Sequence, residues 1–177
     1  PYPEFGQCVH KIARHDGAPG RLYMQNHGGW GEWEGPGGKR PDIGVLRSDD
    51  YGKSWYSIAK GLPSDFGFPI VVHPHEPDTI FVFPIGGGDS RFPPEGKPRV
   101  WRSRDAGDTW APLEEGLPEA FYAAVMRDAM SADTHDPAGL YFGARNGAVW
   151  GSSDAGESWR QVVTDLPDVM VVRAAAT

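Results

Sequence analysis

SRDAGDTW, residues 103–110, has two companions in this chain: SDDYGKSW at 48–55 and SSDAGESW at 152–159. All three read Ser-x-Asp-x-Gly-x-(Ser/Thr)-Trp, and their starts lie about 55 and then about 49 residues apart, a period that suits propeller blades. Each fixed position has a physical task in a tight turn between two strands. The aspartates (Asp50, Asp105, Asp154) accept hydrogen bonds from the turn's own amides, and the glycines (Gly52, Gly107, Gly156) take a positive φ without a Cβ clash. The tryptophans (Trp55, Trp110, Trp159) open the next strand with a side chain that buries on the order of 200 Å² between stacked sheets. The octapeptide reads as a structural device, and the chain as a repeat protein.

The sequence around each octapeptide divides into four short strands. In the middle repeat they are predicted at 70–73, 79–84, 99–103 and 110–113. The first repeat gives 9–14, 21–25, 44–47 and 55–59, and the third gives 123–126, 140–144, 148–151 and 159–163. Each repeat leaves on a similar tripeptide, GLP at 61–63, GLP at 116–118 and DLP at 165–167. The expected fold is all-β, a β-propeller segment of three complete four-stranded blades spanning about 6–62, 63–117 and 118–167. Residues 168–177, with the core VMVVR, read as a single closing strand. At this period a full ring would need roughly 300 to 400 residues, and the chain has 177. The expectation is therefore the C-terminal part of a larger ring, with the N-terminal half of the same chain as its partner, or two copies that close a ring by self-association.

Composition agrees with short strands and tight turns: 24 Gly, 17 Pro and 12% aromatic residues. No apolar run approaches the ~20 residues of a membrane-spanning helix. A net charge of −7 without a Lys/Arg cluster argues against a nucleic-acid partner. The single cysteine, Cys8, can form no internal disulfide. His73-Pro74-His75-Glu76 has a proline that breaks the strand, and Gly86-Gly87-Gly88 lacks the Lys-Ser/Thr of a phosphate loop. Neither a metal nor a cofactor is expected.

The octapeptide resembles the Asp box of the BNR-repeat proteins, β-propellers that include sialidases, sortilin-type receptor domains and photosystem II assembly factors. The resemblance implies that the box is structural and lies on the face away from the ligand. GQCVHKIARH at 6–15, LYMQNHGG at 22–29, GLPSDFGFPI at 61–70 and DPAGLYFG at 136–143 resemble bacterial BNR-repeat proteins labelled glycosyl hydrolase, a label that implies carbohydrate chemistry. Likeness to a sialidase would imply an arginine cluster for a substrate carboxylate, a tyrosine nucleophile helped by a glutamate, and an aspartate acid. Arg91, Arg127 and Arg145 are the candidate arginines, and Tyr122 with Glu119 the candidate pair. The Phe/Tyr-Arg-Ile-Pro signature of sialidases is absent, since FGFPI at 66–70 lacks the arginine.

Topology places function at the end of the blades opposite the octapeptides. Two loops there exceed the usual connection of about 4 to 6 residues. One, at 26–42, carries Trp30 and Trp33; the other, at 86–98, carries Arg91; the short third loop presents Arg145. These four are the candidate ligand-binding residues, because aromatic faces and arginines together suit sugars or peptides. His10, His27, Arg127 and Asp128 fall on or at the ends of the two innermost strands of their blades, as candidates for acid/base chemistry together with Tyr122 and Glu119. The plainer alternative makes the histidines hydrogen-bonded lining and the loop aromatics anchors. The expected function is recognition of a glycan or protein. The alternatives are a glycoside hydrolase whose site is completed by residues of the N-terminal half, and an assembly factor.

Overall fold

The computed structural model describes residues 8–26, 44–87 and 90–175. Three four-stranded antiparallel sheets follow one another, each with its strands in sequence order. The first holds β1 (Val9–Arg14), β2 (Leu22–Asn26), β3 (Val45–Ser48) and β4 (Tyr56–Ser57). The second holds β5 (Gly67–Val72), β6 (Ile80–Pro84), β7 (Val100–Ser103) and β8 (Ala111–Leu113). The third holds β9 (Met130–Ala132), β10 (Leu140–Gly143), β11 (Val149–Ser152) and β12 (Arg160–Val163). The chain is all-β, with the sheets arranged as successive propeller blades.

One strand differs from the expectation. The innermost strand of the third blade was expected at 123–126 and lies at Met130–Ala132. Ala123, Ala124 and Val125 are buried in the core, but as connecting backbone: Arg145 N–H donates to Ala124 O and Ala129 N–H to Met126 O. An apolar run reports burial, and burial does not require a ladder. The tail bridges Asp128 through Val171 in parallel, and Val172 N–H donates to Asp128 O at 2.8 Å. It runs beside the third blade as the first strand of a further blade would.

Burial follows the order of the blades. In the middle blade, β6 is buried at every position and β5 at all but its last, because neighbours cover both faces. In β12 every residue is exposed. One core joins the second and third blades through Phe83, Leu113, Phe142, Trp150 and Trp159; another joins the first and second through Tyr23, Ile58, Ile70 and Ile80.

The octapeptide turns share one hydrogen-bond pattern. In the middle copy, Ser103 Oγ donates to Asp105 Oδ1 at 2.7 Å and accepts Gly107 N–H at 2.7 Å. Asp105 accepts Thr109 N–H at 2.8 Å and the Thr109 hydroxyl at 2.6 Å. The first and third copies repeat these bonds through Ser48, Asp50 and Ser54 and through Ser152, Asp154 and Ser158. Ser103 is 1% exposed, whereas Asp105 faces solvent. Ser103→Ala is expected to cost about 2 kcal/mol, by leaving a buried N–H unpaired, and Asp105→Ala about 1 kcal/mol. Urea unfolding of the two variants checks this order.

The turn also faces the preceding blade. Arg47 Nη1 donates to Ala106 O at 3.2 Å, and Arg102 Nη1 to Ala155 O at 3.3 Å. Trp110 Nε1 donates back to Ile58 O at 2.8 Å, and Trp159 N–H to Glu115 O at 2.8 Å. The second and third octapeptides are thus parts of joints between blades as well as hairpin ends.

The turn between β9 and β10 holds a buried carboxylate. Asp133 is 5% exposed and accepts Gly139 N–H at 2.8 Å, His135 N–H at 3.0 Å and the Tyr141 hydroxyl at 3.1 Å. Burial alone would raise its pKa, but these donors and the His135 ring hold it down at about 2. A folded-state value below the unfolded one, about 4, stabilises the fold above pH 4 and loses that contribution as pH falls toward 2. The melting temperature is therefore expected to decline between pH 4 and pH 2, with a shallower decline in Asp133→Asn.

Candidate recognition site at the loop-rich end

Two bulges prepare the end of the blades opposite the octapeptides. The β1–β2 register shifts between Val9 and Lys11, and the β5–β6 register shifts between Gly67 and Ile70. A bulge re-aims the side chains it contains. His10 and Phe68 meet there, with ring centroids 4.6 Å apart, and Phe66 lies 5.7 Å from His10. His10 Nδ1 lies 2.6 Å from Gly67 O. At 7% exposure and tied to the neighbouring blade, His10 is a strap between β1 and β5.

Two arginines from separate connections stand over the same aromatic ring. The guanidinium carbons of Arg91 and Arg127 lie 5.9 and 5.2 Å from the Phe68 centroid. Both arginines are exposed above a ring that is 3% exposed. Contacts of this kind help to hold a guanidinium in place.

Arg91 also lines an open pocket of about 220 Å³ with Tyr122, Ala123, Ala124, Arg145, Asn146 and Asp168. Tyr122 is 71% exposed, and its ring packs against Phe92 at 5.3 Å. The 3₁₀ turn Pro94–Gly96 lies beneath it: a Cβ on Gly96 would come within 2.8 Å of the tyrosine ring, and Phe121 N–H donates to Gly96 O. Arg145 gives Nε and Nη2, each at 2.8 Å, to Asp168 Oδ2 at the start of the tail. That carboxylate shows the geometry in which Arg145 holds an anion.

The structure separates other candidates. Glu119 lines a different pocket, of about 400 Å³, with Lys97, Pro98, Glu114, Leu117 and Pro118. Among the described residues no hydrogen bond or ion pair joins it to Tyr122. Asp128 is engaged by Lys11 at 3.4 Å and Arg173 at 3.5 Å. Burial depresses the Lys11 pKa despite the pull of Asp128. Lys11, Asp128 and Arg173 thus link the first blade, the third blade and the tail, a grouping that sequence reasoning missed because each residue lies on a different repeat. His27, Trp30 and Trp33 lie outside the described residues. Among the described residues, no group of three or more His, Cys, Asp or Glu is placed to hold a metal, and no helix is long and apolar enough to cross a membrane.

No family model and no curated protein matches the chain. Solved structures do. A GH74 xyloglucanase from Xanthomonas campestris is 23% identical over 86% of this chain and 18% of its own, with a TM-score of 0.55. YCF48 from Cyanidioschyzon merolae is 14% identical over 94% and 42%, with a TM-score of 0.57. YCF48 bound to D1 peptide is 12% identical over 92% and 42%, with a TM-score of 0.58. At these identities the likeness concerns the fold, and the chain spans less than half the length of each of these proteins.

Proposed function

We propose that this chain is a recognition module that binds a carboxylate-bearing glycan or peptide at its loop-rich end. The observation that carries this reading is the meeting of Arg91, Tyr122, Arg127 and Arg145, drawn from three connections, around Phe68 and one open pocket. Arginine donors match carboxylates in geometry, and they stand together here although the chain's net charge is −7. Trp30 and Trp33 are assigned to the same end as stacking faces for the ligand. The three octapeptides are assigned a structural role at the far end of the blades.

A peptide ligand draws support from the fold-level likeness to a YCF48 that was solved with a D1 peptide. The glycoside-hydrolase reading rests on the likeness to a GH74 xyloglucanase. Acidic-glycan and peptide arrays test the proposal. Saturable binding that Arg145→Ala removes is the expected result. Turnover of chromogenic glycosides, with binding indifferent to Arg145, would replace it with the hydrolase reading.

A further inference from the structure

Ser64, Glu119 and Asp168 hold one position in the three exits from the blades, each two residues beyond the leucine of GLP, GLP or DLP. The exits do not fold alike. Leu62 N–H donates to Ala59 O at 3.1 Å and Leu117 N–H to Glu114 O at 3.0 Å, so the first two exits close a turn on the segment they leave. Leu166 N–H crosses instead to Gly147 O, at 3.2 Å, in the connection between β10 and β11. The hydroxyl of Ser64 reaches forward to Ile85 O, whereas Asp168 turns back to Arg145 of that same connection.

The third exit is pinned on both sides of this acid. Leu166 holds it before, and Val169 N–H donates to Ala144 O at 3.2 Å after. The connection is shaped to receive it: a Cβ on Gly147 would collide with Leu166 O, and one on Gly143 with Val169 Cγ1. Farther along, Val171 bridges Asp128 and Val172 N–H donates to Asp128 O at 2.8 Å. Backbone bonds and close packing therefore seat the segment, and the charge of Asp168 is not needed to place it.

What the seating does is deliver a carboxylate to the pocket. Asp168 stands in the pocket wall beside Arg91, Tyr122, Arg145 and Asn146. Arg145 spends Nε and Nη2, each at 2.8 Å, on the single oxygen Oδ2. An incoming carboxylate needs the same two donors, and a tethered one competes at a high effective concentration. The pair is about half exposed on both sides, so an external anion can reach it.

We propose that Asp168 is an internal competitor for the ligand, holding Arg145 in a self-occupied state that an external carboxylate must displace. The proposal rests on the reading of the pocket as a carboxylate site and adds the regulation of that site. Apparent affinity is lowered by the share of molecules in which Asp168 holds the guanidinium. Neutralising Asp168, or drawing the segment at 166–169 away from the β10–β11 connection, raises it.

Acetate, with acetamide as the uncharged control, is the probe, titrated at constant ionic strength and followed by the Nε–H resonances of Arg91 and Arg145. Asp168→Asn keeps the size of the side chain and the backbone seat. It is expected to bind acetate about two- to fivefold more tightly than the parent chain, with hydrogen exchange at Val169 and Val172 unchanged. In an Arg145→Ala background the same substitution is expected to leave the acetate response at Arg91 unaltered. Equal or weaker binding by Asp168→Asn would overturn the proposal and make the acid a positioning group for Arg145. Faster exchange at Val169 in that variant would overturn it as well, by showing that the charge seats the segment. Acetate that binds both proteins equally leaves the reading of the pocket standing, whereas acetate that moves neither arginine in either protein removes that reading and the competitor together.

Discussion

Gly107→Ala is expected to lower the unfolding free energy by about 3 kcal/mol, whereas Gly52→Ala, at the same position of the first octapeptide, is expected to cost about 1 kcal/mol. Both glycines take a positive φ, 100° at Gly107 and 83° at Gly52, so the backbone penalty of an L side chain is common to both. They differ in what lies opposite. A Cβ at Gly107 would fall 2.5 Å from Ile58 Cδ1 and 2.6 Å from Ile58 Cβ, inside the core between two blades. At Gly52 the nearest atom is Leu22 Cδ1 at 3.3 Å, the flexible end of a side chain. Gly156 meets Leu113 Cδ1 at 2.6 Å, closer than the neighbour of Gly52 but again the end of a side chain, and is expected to fall between the two. Urea unfolding of the three variants decides the matter. Equal losses at all three would mean that backbone conformation alone fixes the glycine.

The second large effect concerns binding. Replacing Arg91 and Arg145 together with alanine is expected to weaken a carboxylate ligand by at least about a hundredfold, since hydrogen bonds between charged groups contribute about 1.5 to 3 kcal/mol each. Stability is expected to change by less than about 0.5 kcal/mol, as is usual for exposed positions. Arg145 is half exposed, and its partner Asp168 is equally so, which makes the internal pair weak and easily exchanged for a ligand's carboxylate. Calorimetric titration with any ligand found on the arrays measures the first quantity, and urea unfolding the second. A variant that binds normally would separate the pocket from the function.

Legibility in the sequence followed the range of the interactions. The octapeptides could be read because their bonds run between residues no more than four apart, as from Ser48 to Gly52 and from Asp50 to Ser54. The outer strands followed from them. The innermost strand of the third blade could not be placed, because Ala123 to Val125 are as apolar as a strand and are buried for a different reason. The convergence of Arg91, Arg127 and Arg145 was open to suspicion from their loops. Its centre, Phe68, could not be named, since two bulges aim it and nothing local marks them. Tyr122 and Glu119 are close in sequence, yet the turn between them sends them to different pockets. Several links between blades end on backbone carbonyls, which leave no trace in composition.

The central claim is that the octapeptides join the blades while recognition occurs at the opposite end. Backbone amide chemical-shift mapping of the chain, titrated with a ligand from the acidic-glycan or peptide arrays, tests it most directly. The account predicts shifts at Phe68, Arg91, Tyr122 to Ala124, Arg127, Arg145 and Asn146, with the residues of 48–55, 103–110 and 152–159 unmoved. Shifts concentrated in those octapeptides, with Arg91 and Arg145 silent, would contradict it.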